Sequence, residues 1–286
     1  ILSNLCDETY FKGFSLWNEL LNRRELTSQG AKARRELIHH MLTHQGEETL
    51  GIQGYGPERS MFESLLFQTG LYRQNQDEEW YFTEPKSGIF TVWKAMQEFC
   101  LGAQNQPRSI QELFTCLQKP PYGAKLSPLP VLLAAILLQY HDEISLFQDG
   151  TFIPVLGDEH FELLCRHPHR FAVKSFTIEG IKASYFKDLQ EILTGSHIKL
   201  ESATLRNKTV LSVVKPLIRF ISKLPNYTLT TQTLSKETLA LAKVLLETQD
   251  PVQLLFSDLP KALGFDSLDN SSDSLKESLK TKLVES

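Results

Sequence analysis

The chain has 286 residues, 41% of them hydrophobic and 22% charged, the balance of a globular protein large enough for more than one hydrophobic core. A formal net charge of −4 excludes a chain that coats nucleic acid along its whole length and leaves only local basic faces for such contact. Cys6, Cys100, Cys116 and Cys165 form no CxxC pair and no ladder of spacings, which predicts reduced thiols in a cytoplasmic protein.

ILSNLCDETYF lacks the basic leader and cleavage site of a signal peptide, and both ends read as cut, so a piece of a larger protein is expected. Helical periodicity then dominates. Phe14, Trp17, Leu20 and Leu21 make one apolar stripe; Ala33, Leu37, Ile38, Met41 and Leu42 make a second. GIQGYGPERS interrupts the chain. Ser60 and Glu63 have capping-box spacing before MFESLLFQTG, with Gly70 as its C-cap. QNQDEEW is a loop, WYFT a short strand, and Ile89 to Leu101 a helix through Val92, Trp93, Met96 and Phe99. The polar, Gly/Pro-punctuated GAQNQPR marks an internal boundary.

Ser109 and Glu112 predict a second capping box over IQELFTCLQ. KPPYG is a turn, and Pro128 and Pro130 suit the first turn of the next helix. Leu129 to Leu138 is uncharged but only about half the ~20 residues needed to span a bilayer, so a buried helix is expected and no membrane. Next, Asp149-Gly150 lies between β-rich runs carrying Ile144, Leu146, Phe152 and Val155, a strong hairpin signal. Capped helix, turn, buried helix and hairpin is the order of a winged helix. RFAVKSFTI reads as extended. Helices are expected at Ala183–Leu193, at Thr209–Lys223 with a kink or break at Pro216, at Lys236–Thr248 and at Val252–Leu263.

The fold class read from this pattern is mainly α with a small β component. It comprises an N-terminal helical domain over 1–106, a central winged-helix-like unit with a hairpin wing over 107–180, a C-terminal helical domain over 181–265, and a polar linker or marginal helix over 266–286.

Catalytic motifs are sparse. No phosphate-cradling P-loop occurs, and Gly51, Gly54 and Gly56 follow a helix, the wrong context for a dinucleotide fingerprint. Cys165, His167, His169 and His160 lack zinc-site spacing, and His39, His40 and His44 lack the HExxH pattern, so no metal or cofactor is expected in this segment. Asp77, Glu84 and Lys86 are residue types of a metal-dependent nuclease, but Pro85 interrupts the strand such a site needs. The candidate contact residues are cations: Arg23, Arg24, Lys32, Arg34 and Arg35 in one cluster, with Lys119 and Lys125 near the turn. Such side chains meet phosphates or an acidic partner surface through charge-assisted bonds.

CDETY, NELLNRRELTSQGAKARRELIHHML, LGIQGYGPERSMFESLLFQTGLYR and KPPYGAKLSPLPVLLAAILLQYHDEISLFQDGTFIP resemble an internal region of very large bacterial ATP-binding proteins, the phage-defence ATPases of the BREX P-loop kind and their relatives. KPLIRFISKLPNYT and PVQLLFSDLPKALGF extend that resemblance over most of the chain. It implies a bacterial cytoplasmic defence context and an ATPase parent whose nucleotide site lies elsewhere, and it carries no site residue here. The expected function is a non-catalytic module that contacts other domains of the parent, other defence-complex subunits or, weakly, nucleic acid. The alternatives are a freestanding winged-helix DNA-binding regulator and a metal-dependent nuclease. A base-reading helix presents polar side chains to the major groove, and the helix starting at Pro128 offers only Gln139.

Overall fold

A computed structural model describes residues 2–23, 26–176, 210–223, 236–247 and 249–262. It is mainly helical with small antiparallel strand pairs, and it divides into two compact units: residues 1–141 with 156–174, and residues 142–155 with 175–286. This division runs through the expected 107–180 unit and shows no break at residue 106. The Ala183–Leu193 helix and the polar end from residue 266 lie outside the described residues, as does Arg24.

In the first unit α1 spans Leu2–Thr9, α2 Glu19–Asn22 and α3 Ser28–Thr43. Thr27 caps α3, its hydroxyl accepting from the Gly30 N–H at 3.2 Å, and Ala33, Leu37, Ile38 and Met41 are buried along one face. The first predicted stripe fails. Residues 13–16 are not helical, and Trp17 is 98% exposed while Leu21 is buried. Next, α4 covers Pro57–Phe62 and widens over Glu63–Phe67, where the Gln68 N–H reaches back five residues to the Glu63 carbonyl at 2.9 Å. The helix starts at Pro57, so Ser60 lies inside it and caps nothing. Its hydroxyl instead accepts from Asn18 Nδ2 at 3.1 Å, and Ser64 accepts from the same nitrogen at 3.0 Å.

Strands β1 (Tyr72–Gln74) and β2 (Trp80–Phe82) form a hairpin, and α5 spans Phe90–Leu101. β3 (Arg108–Ser109) leads into α6 (Ile110–Gln118), capped by Ser109, whose hydroxyl accepts from the Gln111 N–H at 3.2 Å. α7 covers Leu129–Gln139, and every residue from Leu129 to Leu137 is buried. It packs against α3, α5, β2 and α8, the last being Asp158–Arg166. An uncharged sequence is what a helix covered on all sides requires, because each buried charge would be costly. Among the described residues no helix is long and apolar enough to cross a membrane.

The second unit holds β4 (Ile144–Gln148) and β5 (Thr151–Phe152), paired antiparallel with Gln148 opposite Thr151. Asp149 (φ 51°) and Gly150 (φ 83°) make the two-residue turn that the sequence announced. The second strand is shorter than expected, and Val155 is exposed. In the first unit β6 (Phe171–Ser175, of which only Ser175 falls in the second unit) follows α8 and aligns Val173 with Arg108 of β3. The described helices of the second unit are α9 (Val210–Lys223, with Pro216 inside), α10 (Lys236–Glu247), α11 (Pro251–Gln253, with a wider turn over Leu254–Asp258) and α12 (Leu259–Ala262). Asp250 caps α11. Leu211, Val214, Leu217, Ile218 and Ile221 of α9 are buried, as are Leu241 and Leu245 of α10. Among the described residues Val214 and Leu217, which flank Pro216 in spacing, both face the core.

Candidate functional site

A cleft of about 430 Å³ lies between α3 and α8 in the first unit. Helical spacing explains which side chains meet there. Ser28, Ala31, Lys32, Arg35 and Ile38 recur every three or four residues on α3, with Arg34 beside them. Asp158, Phe161, Glu162, Cys165 and Arg166 do the same on α8. Four cationic side chains therefore share the cleft with two carboxylates.

The charges are partly paired. Glu162 spans two guanidinium groups: Oε1 accepts from Arg166 Nη2 at 2.6 Å, and Oε2 lies 3.6 Å from Arg35 Nη1. His39 Nδ1 is 3.8 Å from Asp158 Oδ1, and Lys32 Nζ is 3.5 Å from Glu36. Arg34 Nη1 donates to the Ser127 carbonyl at 3.5 Å. The side chains of Arg35, Glu162 and Arg166 are 48%, 40% and 69% exposed, so these pairs exchange readily with solvent partners. Burial pushes the Cys165 thiol above its ordinary pKa; Arg34 and Arg166 oppose that shift and Glu162 reinforces it. Cys165 is therefore a protonated thiol near neutral pH and a poor nucleophile.

Of the cations singled out from the sequence, Lys32, Arg34 and Arg35 converge on this cleft. Arg23 does not line it and is ion-paired with Glu19 at 2.7 Å on α2. Lys119 and Lys125 are exposed on the turn before α7 and also stand outside it. The sequence reading missed α8 altogether, and with it Arg166, Glu162 and Asp158. The signal was there: Asp158 and Glu159 in a first turn, Arg166 in a last turn, and Phe161 with Leu164 on one face complement a helix dipole and a core.

The other candidates resolve into local structure. Among the described residues no group of three or more His, Cys, Asp or Glu side chains is placed to hold a metal ion. His160 Nδ1 accepts from the Gly157 N–H at 3.1 Å, and His40 Nδ1 lies 2.9 Å from the Leu50 carbonyl. Gly51 and Gly54 take φ of 66° and 82°, the backbone of a turn. Asp77 is exposed between β1 and β2, while Glu84 accepts from Gln97 Nε2 at 3.0 Å and lies 3.7 Å from Lys94. The chain matches no family model, no curated protein and no solved structure.

Proposed function

We propose that this chain is a non-catalytic contact module of a larger protein, with the α3–α8 cleft as its contact surface. The observation that carries the reading is the gathering of Lys32, Arg34, Arg35 and Arg166 on one exposed cleft from helices more than a hundred residues apart. Cations on a concave surface bind anionic groups of a partner through bidentate, charge-assisted bonds. The burial of α7 supports protein contact over base readout, because no side chain from Leu129 to Leu137 is free to enter a groove. The chain order of α6, α7 and the β4–β5 hairpin supports a winged-helix-like part used for packing. The sequence resemblance supports a bacterial phage-defence ATPase of the BREX P-loop kind as the parent, which makes the parent's other domains and its complex subunits the natural partners in a cytoplasmic setting.

A salt titration against fluorescent duplex and single-stranded DNA tests the reading. Expected is weak binding that disappears near physiological salt, with Arg34→Ala plus Arg35→Ala flattening the log–log slope by about two units. Sequence-selective binding that survives high salt would overturn it in favour of a DNA-binding regulator.

A further inference from the structure

The cleft already contains an anion of its own. Glu162 sits between Arg166, one turn along its own helix, and Arg35 on α3, each guanidinium meeting a different carboxylate oxygen at 2.6 and 3.6 Å. A carboxylate spanning two arginines occupies the position that an incoming carboxylate would take. Its hold is exchangeable, since Glu162 is 40% exposed and exposed pairs of this kind are easily exchanged. Ile38 and Phe161 close the floor of the cleft beneath the cations, each almost fully buried.

We propose that Glu162 is a displaceable internal stand-in for a carboxylate of an acidic protein segment, and that binding of such a segment exchanges its carboxylate for that of Glu162 on Arg35 and Arg166. This rests on the contact-surface reading above. The partner chemistry follows from the lining. A nucleic-acid strand would carry an unbroken run of charge past Asp158 and Glu162, which repel it. A peptide can place single carboxylates on the arginines and no charge opposite Asp158. No bond is made or broken; the exchange swaps one ion pair for another, and Glu162 is released to water.

The consequence is a gain of function on losing a charge. Removing Glu162 leaves Arg35 and Arg166 open, so binding tightens, whereas a purely structural role for Glu162 would change only stability. The test is fluorescence anisotropy at about 50 mM salt on the full chain, with a labelled ten-residue peptide of alternating Glu and Leu and a single-stranded DNA of matched charge. Glu162→Gln and Glu162→Ala are compared with the unsubstituted chain, and thermal melting checks that each is folded. The expected result is peptide binding about two- to tenfold tighter in both Glu162 variants, as loss of one or two exposed ion pairs allows, and weaker binding in Arg166→Gln. Peptide binding seen only in the Glu162 variants also supports the exchange. Equal or weaker binding in those variants, with the unsubstituted chain still binding, overturns the exchange but leaves the contact surface standing. No peptide binding by any variant overturns both. A larger gain for DNA than for peptide overturns the assignment of the partner as protein.

Discussion

The two units bury ionisable groups of opposite kind, and they respond to pH in opposite directions. The first holds Tyr72 and Cys100 in an apolar core, and burial pushes both up to about 12. Both are neutral when protonated, so burial favours the protonated form. The second holds Lys215 on α9, where burial pulls the ammonium down to about 8 against the attraction of Asp142, itself 3% exposed. A thiol costs a core nothing until it ionises, whereas an ammonium costs its surroundings until it loses its proton. All three tryptophans of the sequence, Trp17, Trp80 and Trp93, fall in the first unit, so tryptophan fluorescence follows that unit alone while hydrogen exchange can follow the second.

The largest expected effect sharpens the apolar side of this contrast. Leu133 of α7 is fully buried, and Leu133→Ala should cost about 2–5 kcal/mol, read as a lower urea midpoint by tryptophan fluorescence. A loss below about 1 kcal/mol would mean that α7 is not the core element it forms here. On the charged side, Lys215→Met should destabilise the second unit by about 1–3 kcal/mol, because Asp142 loses the counter-charge that offsets its burial. Faster amide exchange in α9 would register this. Lys215→Met combined with Asp142→Asn should recover most of the loss; failure to recover would show that the two residues are not coupled.

The pH dependence should separate the units directly. Folded Cys100 keeps its proton to about pH 12 while an unfolded thiol releases it near 9, so above pH 9 the folded state binds more protons and stability falls. Between pH 9 and 10 the fluorescence-detected unit should lose about 1 kcal/mol, and Cys100→Ala should flatten that slope. Lys215 has the opposite sign. Between about pH 8 and 10.5 the unfolded state binds more protons, so the second unit gains stability as pH rises, by exchange measured on α9. Parallel pH profiles for the two units would break the comparison. The smallest effect belongs to the hairpin turn: Gly150→Ala places a Cβ at a φ of 83° with open space around it, so backbone strain alone should cost about 1 kcal/mol, seen as faster exchange in β4.

Local sequence determined those parts of the molecule whose physics is local. The stripe from Ala33 to Met41 repeats at helical spacing and forms the buried face of α3. The uncharged run from Leu129 is a helix covered on every side. Asp149-Gly150 makes its turn because both residues tolerate positive φ, and Ser109 caps α6 because a short hydroxyl side chain meets the free N–H groups at a helix start. Tertiary structure decided what depends on partners distant in the chain. Ser60 had the spacing of a cap, but Pro57 begins the helix and Asn18, forty-two residues away, takes the Ser60 hydroxyl. Trp17 had the periodicity of a core residue, yet among the described residues no element covers it and it is 98% exposed. The cleft is of the second kind. Lys32, Arg34 and Arg35 were legible as a basic cluster, but a cluster becomes a site only when something faces it. Packing of α8 against α3 supplied Arg166, Glu162 and Cys165, because burying Phe161 and Leu164 on one face of α8 fixes where the residues between them must point.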